Sequence, residues 1–159
     1  MKQLATAIFL CGVALALQSC GQQDPSSENS AQAPASAPAA MPRSPAPPGA
    51  AVFFITPMNG ATVSSPVTIK FGVSGANIMA AGNMAPNSGH HHLLVDTELA
   101  DPSMPVPKDA QHLHYGKGQT ETTLELAPGT HSLQMVLGDG NHVPHDPPIM
   151  SGVISITVE

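Results

Sequence analysis

Val67-Thr68-Ile69-Lys70-Phe71-Gly72-Val73 alternates apolar and small or polar residues without a break. Successive side chains of a strand point to opposite faces, so Val67, Ile69, Phe71 and Val73 share one side and Thr68, Lys70 and Gly72 the other. The run predicts a half-buried strand, and its neighbours read in the same way. Upstream, Ala51-Val52-Phe53-Phe54-Ile55-Thr56 is a first strand closed by Pro57 and the Asn59-Gly60 turn. Downstream, strands are expected over 91–96, 112–115, 120–126, 132–137 and 153–158. Thr122, Leu124 and Leu126 share one face, Pro128-Gly129 turns the chain, and Ile154, Ile156 and Val158 point inward. No stretch carries a helical period with caps. Seven short strands in about 110 residues predict an all-β fold, an immunoglobulin-like antiparallel sandwich, with a small antiparallel barrel as the alternative.

The first fifty residues are of another kind. Lys2 precedes an apolar stretch over residues 4–17, too short for a membrane span, which reads as a signal peptide over 1–19. Leu17-Gln18-Ser19-Cys20 resembles a bacterial lipobox. That resemblance implies lipidation of the Cys20 sulfur and a mature chain that begins there; the alternative is an ordinary signal peptide cleaved near Cys20. Two acyl chains hold a protein on a membrane where one does not. Gly21 after the cysteine resembles the pattern of outer-membrane sorting, so a periplasm-facing outer-membrane protein is expected. Residues 20–49 are rich in Pro, Ala and Ser and predict an extended, disordered tether. One folded domain, 50–159, follows.

Composition excludes several functions. The only cysteines are Cys11 and Cys20, so the domain can hold neither a disulfide nor a thiolate-bound metal. It has no Trp, the net charge is −6, and Lys and Arg do not cluster, so nucleic acid is not an expected partner. There is no hydrolase serine motif and no cysteine nucleophile.

Three blocks are distinctive: Gly89-His90-His91-His92-Leu93-Leu94-Val95-Asp96, the run from His112 to Thr122, and the run from Leu137 to Pro148. On them the chain resembles the DUF4399 domain family of small exported bacterial proteins, over roughly Phe53 to Val158. The resemblance implies domain boundaries and carries no activity with it.

All eight histidines lie between His90 and His145. In an immunoglobulin-like order the second–third, fourth–fifth and sixth–seventh connections share one end of the sandwich. His90 and His92 begin the third strand, His112 and His114 lie on the fourth, and His142 and His145 fall in the last connection. These six are the candidate metal ligands, since clustered neutral imidazoles bind zinc, copper or non-haem iron. His112 and His114, two apart on one strand, share a face. Asp139 and Asp146 are candidate ligands or carboxylates that orient a ring. Met79 and Met84, and less so Met104 and Met150, would favour copper as thioether donors. His91 and His131 are expected to be structural, with His131 sharing the face of Leu133 and Leu137 and capping a turn at the opposite end; Asp96 ends the third strand and is not expected to join the cluster. Asp139-Gly140-Asn141 predicts a turn with Gly140 left-handed. Asp101 and Asp109 match no calcium loop.

Three functions follow as expectations. The first is a lipid-anchored envelope module that binds a transition metal, copper ahead of zinc, for buffering or delivery. The second is a non-catalytic structural or protein-interaction module, its histidines forming a polar network and an exposed edge strand meeting an envelope partner. The third is a metal-dependent enzyme at the same histidines, with Asp139, Asp146 or Glu121 as general base.

Overall fold

The computed structural model describes residues 41–159. The expected signal peptide, Cys20 and most of the expected tether lie outside the described residues. No helix occurs among the described residues, and so none long and apolar enough to cross a membrane.

Nine strands are formed: β1 Ala51–Thr56, β2 Thr62–Val63, β3 Val67–Ser74, β4 Asn77–Ile78, β5 Ser88–Val95, β6 His112–Tyr115, β7 Glu121–Leu124, β8 Gly129–Gly138 and β9 Ile154–Val158. They build two sheets. The smaller has the order β1-β3-β7; the larger runs β2-β9-β8-β5, with β4 and β6 both paired to β5. This is the expected all-β sandwich, with β2 and β4 as short additions. The decisive alternation holds: Val67, Ile69 and Phe71 are buried, while Thr68 and Lys70 face solvent. They pack with Val52 against Leu93, Val95, Leu133, Met135, Leu137, Ile156 and Val158 of the larger sheet. Each such side chain contributes about 1.5–3 kcal/mol by leaving water, which makes this core the main support of the fold.

Two features depart from the sequence reading, and both bear on the histidines. The strand bearing His112 and His114 was expected to lead into the fifth strand at the end of the sandwich. It does lead through the 116–118 turn towards β7, but it does not share the sheet of β7: β6 joins the larger sheet directly beside β5, with His92 opposite His114 and Leu94 opposite His112. The physical reason lies in its partners: Tyr115 turns into the core against Phe71, at 4.9 Å between ring centres. Second, β5 is buried on both faces along its whole length. Its outer face is roofed by the 96–111 connection and by the stretch after β8. Leu94, Val106 and Val136, with Leu99 and Met150, form a second, smaller apolar cluster there.

The domain also begins earlier than residue 50. The Asp146 amide donates to the Ser44 carbonyl and the Ala46 amide to the Asp146 carbonyl, both at 2.9 Å. Ala46 and Ala50 pack on the core. The end of the expected tether is thus an extended strap hydrogen-bonded to the last long connection.

Candidate metal centre

Four imidazoles meet on the outer face of β5. His90 and His92 project to the same side because they are two apart on one strand, and His91 projects to the other. Cross-strand pairing sets His114 directly opposite His92, where side chains of neighbouring strands touch. His142 descends from the connection between β8 and β9. The ring centres lie 4.8 Å apart for His90 and His92, 5.0 Å for His90 and His114, and 4.9 Å for His90 and His142. The other pairs are 5.1 Å for His92 and His114, 5.9 Å for His92 and His142, and 4.7 Å for His114 and His142. A tetrahedral ion bound at about 2.0–2.1 Å from each ring nitrogen would hold ring centres roughly 5 Å apart. His90, His114 and His142 each present a ligand atom within 4.8 Å of the others.

Two glycines make room for these rings. A Cβ on Gly138 would stand 2.9 Å from His92 Nε2, and one on Gly116 would stand 2.4 Å from His114 Nε2. Sequence reading missed both as parts of the site. The available signal was their position, since Gly116 follows the His112–Tyr115 strand and Gly138 ends the strand before the histidine loop.

The electrostatics are those of neutral rings packed together. Burial, then the neighbouring His142 and His114, lowers His90 to about 4. Burial, then His90, lowers His92 to about 2. His114 is lowered by burial, by His142 and by the Lys108 ammonium. These rings therefore stay unprotonated near neutral pH, the state in which imidazole binds a metal. His92 Nε2 and His90 Nε2 are 3.0 Å apart, so one donates and the other accepts. His90 Nδ1, His92 Nδ1 and His114 Nε2 are buried with no hydrogen-bond partner. An unpaired buried polar group costs about 1–3 kcal/mol, a cost that His91 also carries at both ring nitrogens on the core side and that an ion would relieve at the cluster. Their chemistry fits a cation better than it fits one another.

The cluster is not sealed. His92, His114 and His142 form part of the wall of a cavity of about 390 Å³ completed by Pro105, Val106 and Lys108. No methionine lines it. Met84 lies against Gly140, and Met150 belongs to the apolar cluster with Leu94.

The remaining candidates are placed elsewhere. His112 shares the face of His114 but is held by Asp109, with Nδ1 at 2.9 Å from Oδ1. His145 is buried with Nδ1 at 3.3 Å from the Leu137 carbonyl and Nε2 at 3.2 Å from the Ser88 carbonyl, a clamp between loop and strands. His91 faces the core, its ring centre 5.2 Å from that of Phe71. His131 spans the Asp96 carboxylate at 2.7 Å and the Ala127 carbonyl at 2.9 Å, far along β8 from the cluster.

Asp139 serves the loop itself. Its Oδ1 accepts from the Asn141 and Val143 amides at 2.8 and 3.1 Å, and its Oδ2 accepts from the Ser44 hydroxyl at 2.9 Å. Asp146 is exposed and paired with Arg43 at 3.1 Å. Glu121 faces Lys70 in the other sheet. None of the three expected bases stands at the cluster with a free carboxylate. The expected turn over Asp139-Gly140-Asn141 is formed, but the left-handed residue is His142, at φ 68°, and not Gly140. Gly140 is needed for closeness instead: a Cβ there would stand 2.5 Å from the Asn83 carbonyl oxygen.

A family model described as a domain of unknown function, DUF4399, matches residues 69–159, which include the whole histidine cluster. No curated protein matches the chain, and no solved structure does.

Proposed function

Since the chain belongs to the DUF4399 family, a family defined by sequence and not by activity, we propose from the site itself that this protein is a metal-binding module. In this reading His90, His92, His114 and His142 hold one late first-row transition ion, zinc or copper. The observation that carries it is the mutual approach of four imidazoles, all six ring pairs within 5.9 Å, with buried nitrogens that lack partners. Nearly equal separations suit a tetrahedral ion, the usual preference of zinc. The thioether reason for setting copper first is weak, since neither Met79 nor Met84 lines the cavity.

The cavity leaves the ion open to exchange on one side, which suits buffering or delivery better than a closed structural site. Lipidation at Cys20 would keep the domain at the envelope membrane, where such a module meets incoming metal; an outer-membrane, periplasm-facing position fits the residue after Cys20. Metal-assisted catalysis has less support, because the carboxylates expected as its general base are engaged elsewhere.

Titration of the full chain with Zn(II), Cu(II) and Cu(I) against a chromophoric chelator tests the proposal. One ion per chain with a dissociation constant below about micromolar is expected, a scale of roughly 8 kcal/mol. Weaker binding of every ion overturns it.

A further inference from the structure

The strap that precedes the domain grips the loop that carries His142. Arg43 donates from Nε to the Pro144 carbonyl at 3.0 Å and from Nη2 to the His145 carbonyl, and its Nη1 pairs with the Asp146 carboxylate at 3.1 Å. Ser44 donates to Asp139, the carboxylate that also binds the Asn141 and Val143 amides on either side of His142. Backbone bonds join Ser44 and Ala46 to Asp146. Strap contacts thus fall on both sides of His142, at Asp139 before it and at 144–146 after it.

His142 is the residue that needs such support. Its φ of 68° is a left-handed conformation that a side-chain-bearing residue rarely adopts. Strained backbone persists only where its surroundings over-determine it. The other three rings of the cluster stand on or beside paired strands; His142 alone stands on a loop.

We infer that Arg43 and Ser44 are positioning residues of the metal centre, and that docking of the Arg43–Ala46 strap and binding of the ion are coupled. With the strap in place His142 is preset as a ligand; with the strap released the ion is left with His90, His92 and His114. Coupling between two binding events is reciprocal, so the ion must hold the strap down by the same factor by which the strap raises affinity for the ion. In sequence the strap follows directly on the N-terminal segment. A force or a protease acting on that segment would therefore change metal affinity without touching a ligand. The inference rests on the metal-binding reading.

Two measurements on the full chain test it. In the first, zinc affinity is compared between the native chain and Arg43→Ala and Ser44→Ala, with the zinc-free unfolding midpoint of each. A rise in the dissociation constant of about tenfold is expected for Arg43→Ala, and a smaller rise for Ser44→Ala, within the usual 5–150-fold range of coupling. In the second, hydrogen exchange of the Ala46 and Asp146 amides in the native chain is followed with and without saturating zinc. Slowing of about tenfold is expected at both, beyond any change at Asp96 and Ser132 at the far end of the sheet. That reciprocal protection is a signature that a merely structural salt bridge would lack, and it needs no variant to fold. Native zinc binding with unaltered exchange at Ala46 and Asp146 overturns the coupling and leaves the metal reading standing. A native chain that binds no zinc but binds copper is tested in the same two ways with copper. A native chain that binds neither overturns both.

Discussion

At the residue scale the histidines divide by what each ring nitrogen touches. Those of His145 and His131 meet carbonyl or carboxylate oxygens, whereas in the cluster His90 Nε2 meets His92 Nε2 and His90 Nδ1, His92 Nδ1 and His114 Nε2 have no partner. Replacing His114 or His142 with Ala is therefore expected to weaken metal binding by at least about tenfold, the scale of one lost ligand contact of 1.4 kcal/mol or more. The same titration of His131→Ala should be unchanged, while its unfolding free energy falls by about 1–2 kcal/mol for the lost charge-assisted bond to Asp96. Equal effects on metal affinity from the two kinds of variant would remove the distinction. Gly116→Ala is a subtler probe. Its methyl group would collide with the His114 ring, so the ring must turn and take Nε2 with it. Impaired metal binding with a native-like circular dichroism spectrum is expected.

At the scale of elements, the site exists because β5 is covered on both faces. Its inner face was legible: Leu93 and Val95 follow His91 in strict alternation, and all three lie inside. Its outer face was not. A strand with imidazoles on one side reads as half exposed, yet Leu99 and Val106 from the 96–111 connection and Met150 from the stretch after β8 pack over Leu94 and its neighbour Val136 beside the cluster. Leu94→Ala is expected to cost about 2–5 kcal/mol, as for a fully buried leucine, and to open the cavity wall. Denaturant unfolding measures the first effect, and faster release of bound metal to a chelator the second. A cost under about 1 kcal/mol would show that the roof contributes little.

The position of β6 was likewise decided by packing. Its extent, 112–115, follows from its own residues, but a four-residue strand carries no mark of the sheet it will join. Tyr115 inside against Phe71, and backbone pairing to β5, settle it. That choice brings His114 to His92 and leaves His112 beside Asp109, although the two share a face and differ by only two positions in the chain.

At the scale of the whole molecule, the buried histidines make stability depend on pH. Burial lowers His90 and His91 to about 4 and His92 to about 2. In the unfolded chain the same rings protonate near 6.5. Between these values the unfolded chain binds more protons, so stability rises with pH there. The contribution is fully present above 6.5 and is lost as pH falls towards 4. His131 has the opposite sign: its bonds to Ala127 and Asp96 raise it, so its contribution is present below 6.5 and fades as pH rises through the raised value. With His90, His91, His92 and His114 lowered against His131 raised, urea midpoints should fall as pH drops from 6.5 to about 4. Bound zinc should shift that loss to lower pH, because protons must then displace the ion. Midpoints that stay flat across this window would contradict neutral packing of the four lowered rings.

The alternation of apolar residues, hence strands and not helices, a sandwich core, and which histidines share a face are all written along the chain. These are local properties, set by the two-residue period of a strand and by turn chemistry. The histidines are also gathered in one half of the chain. Which four of them meet is set by packing between distant segments. That depended on β6 choosing β5 as its neighbour, on a roof of loops over the outer face, on Gly116 and Gly138 leaving space for rings, and on a strap from residues 43–46 that reads as mere tether. Each joins residues distant in sequence, and such long-range contacts leave no period along the chain.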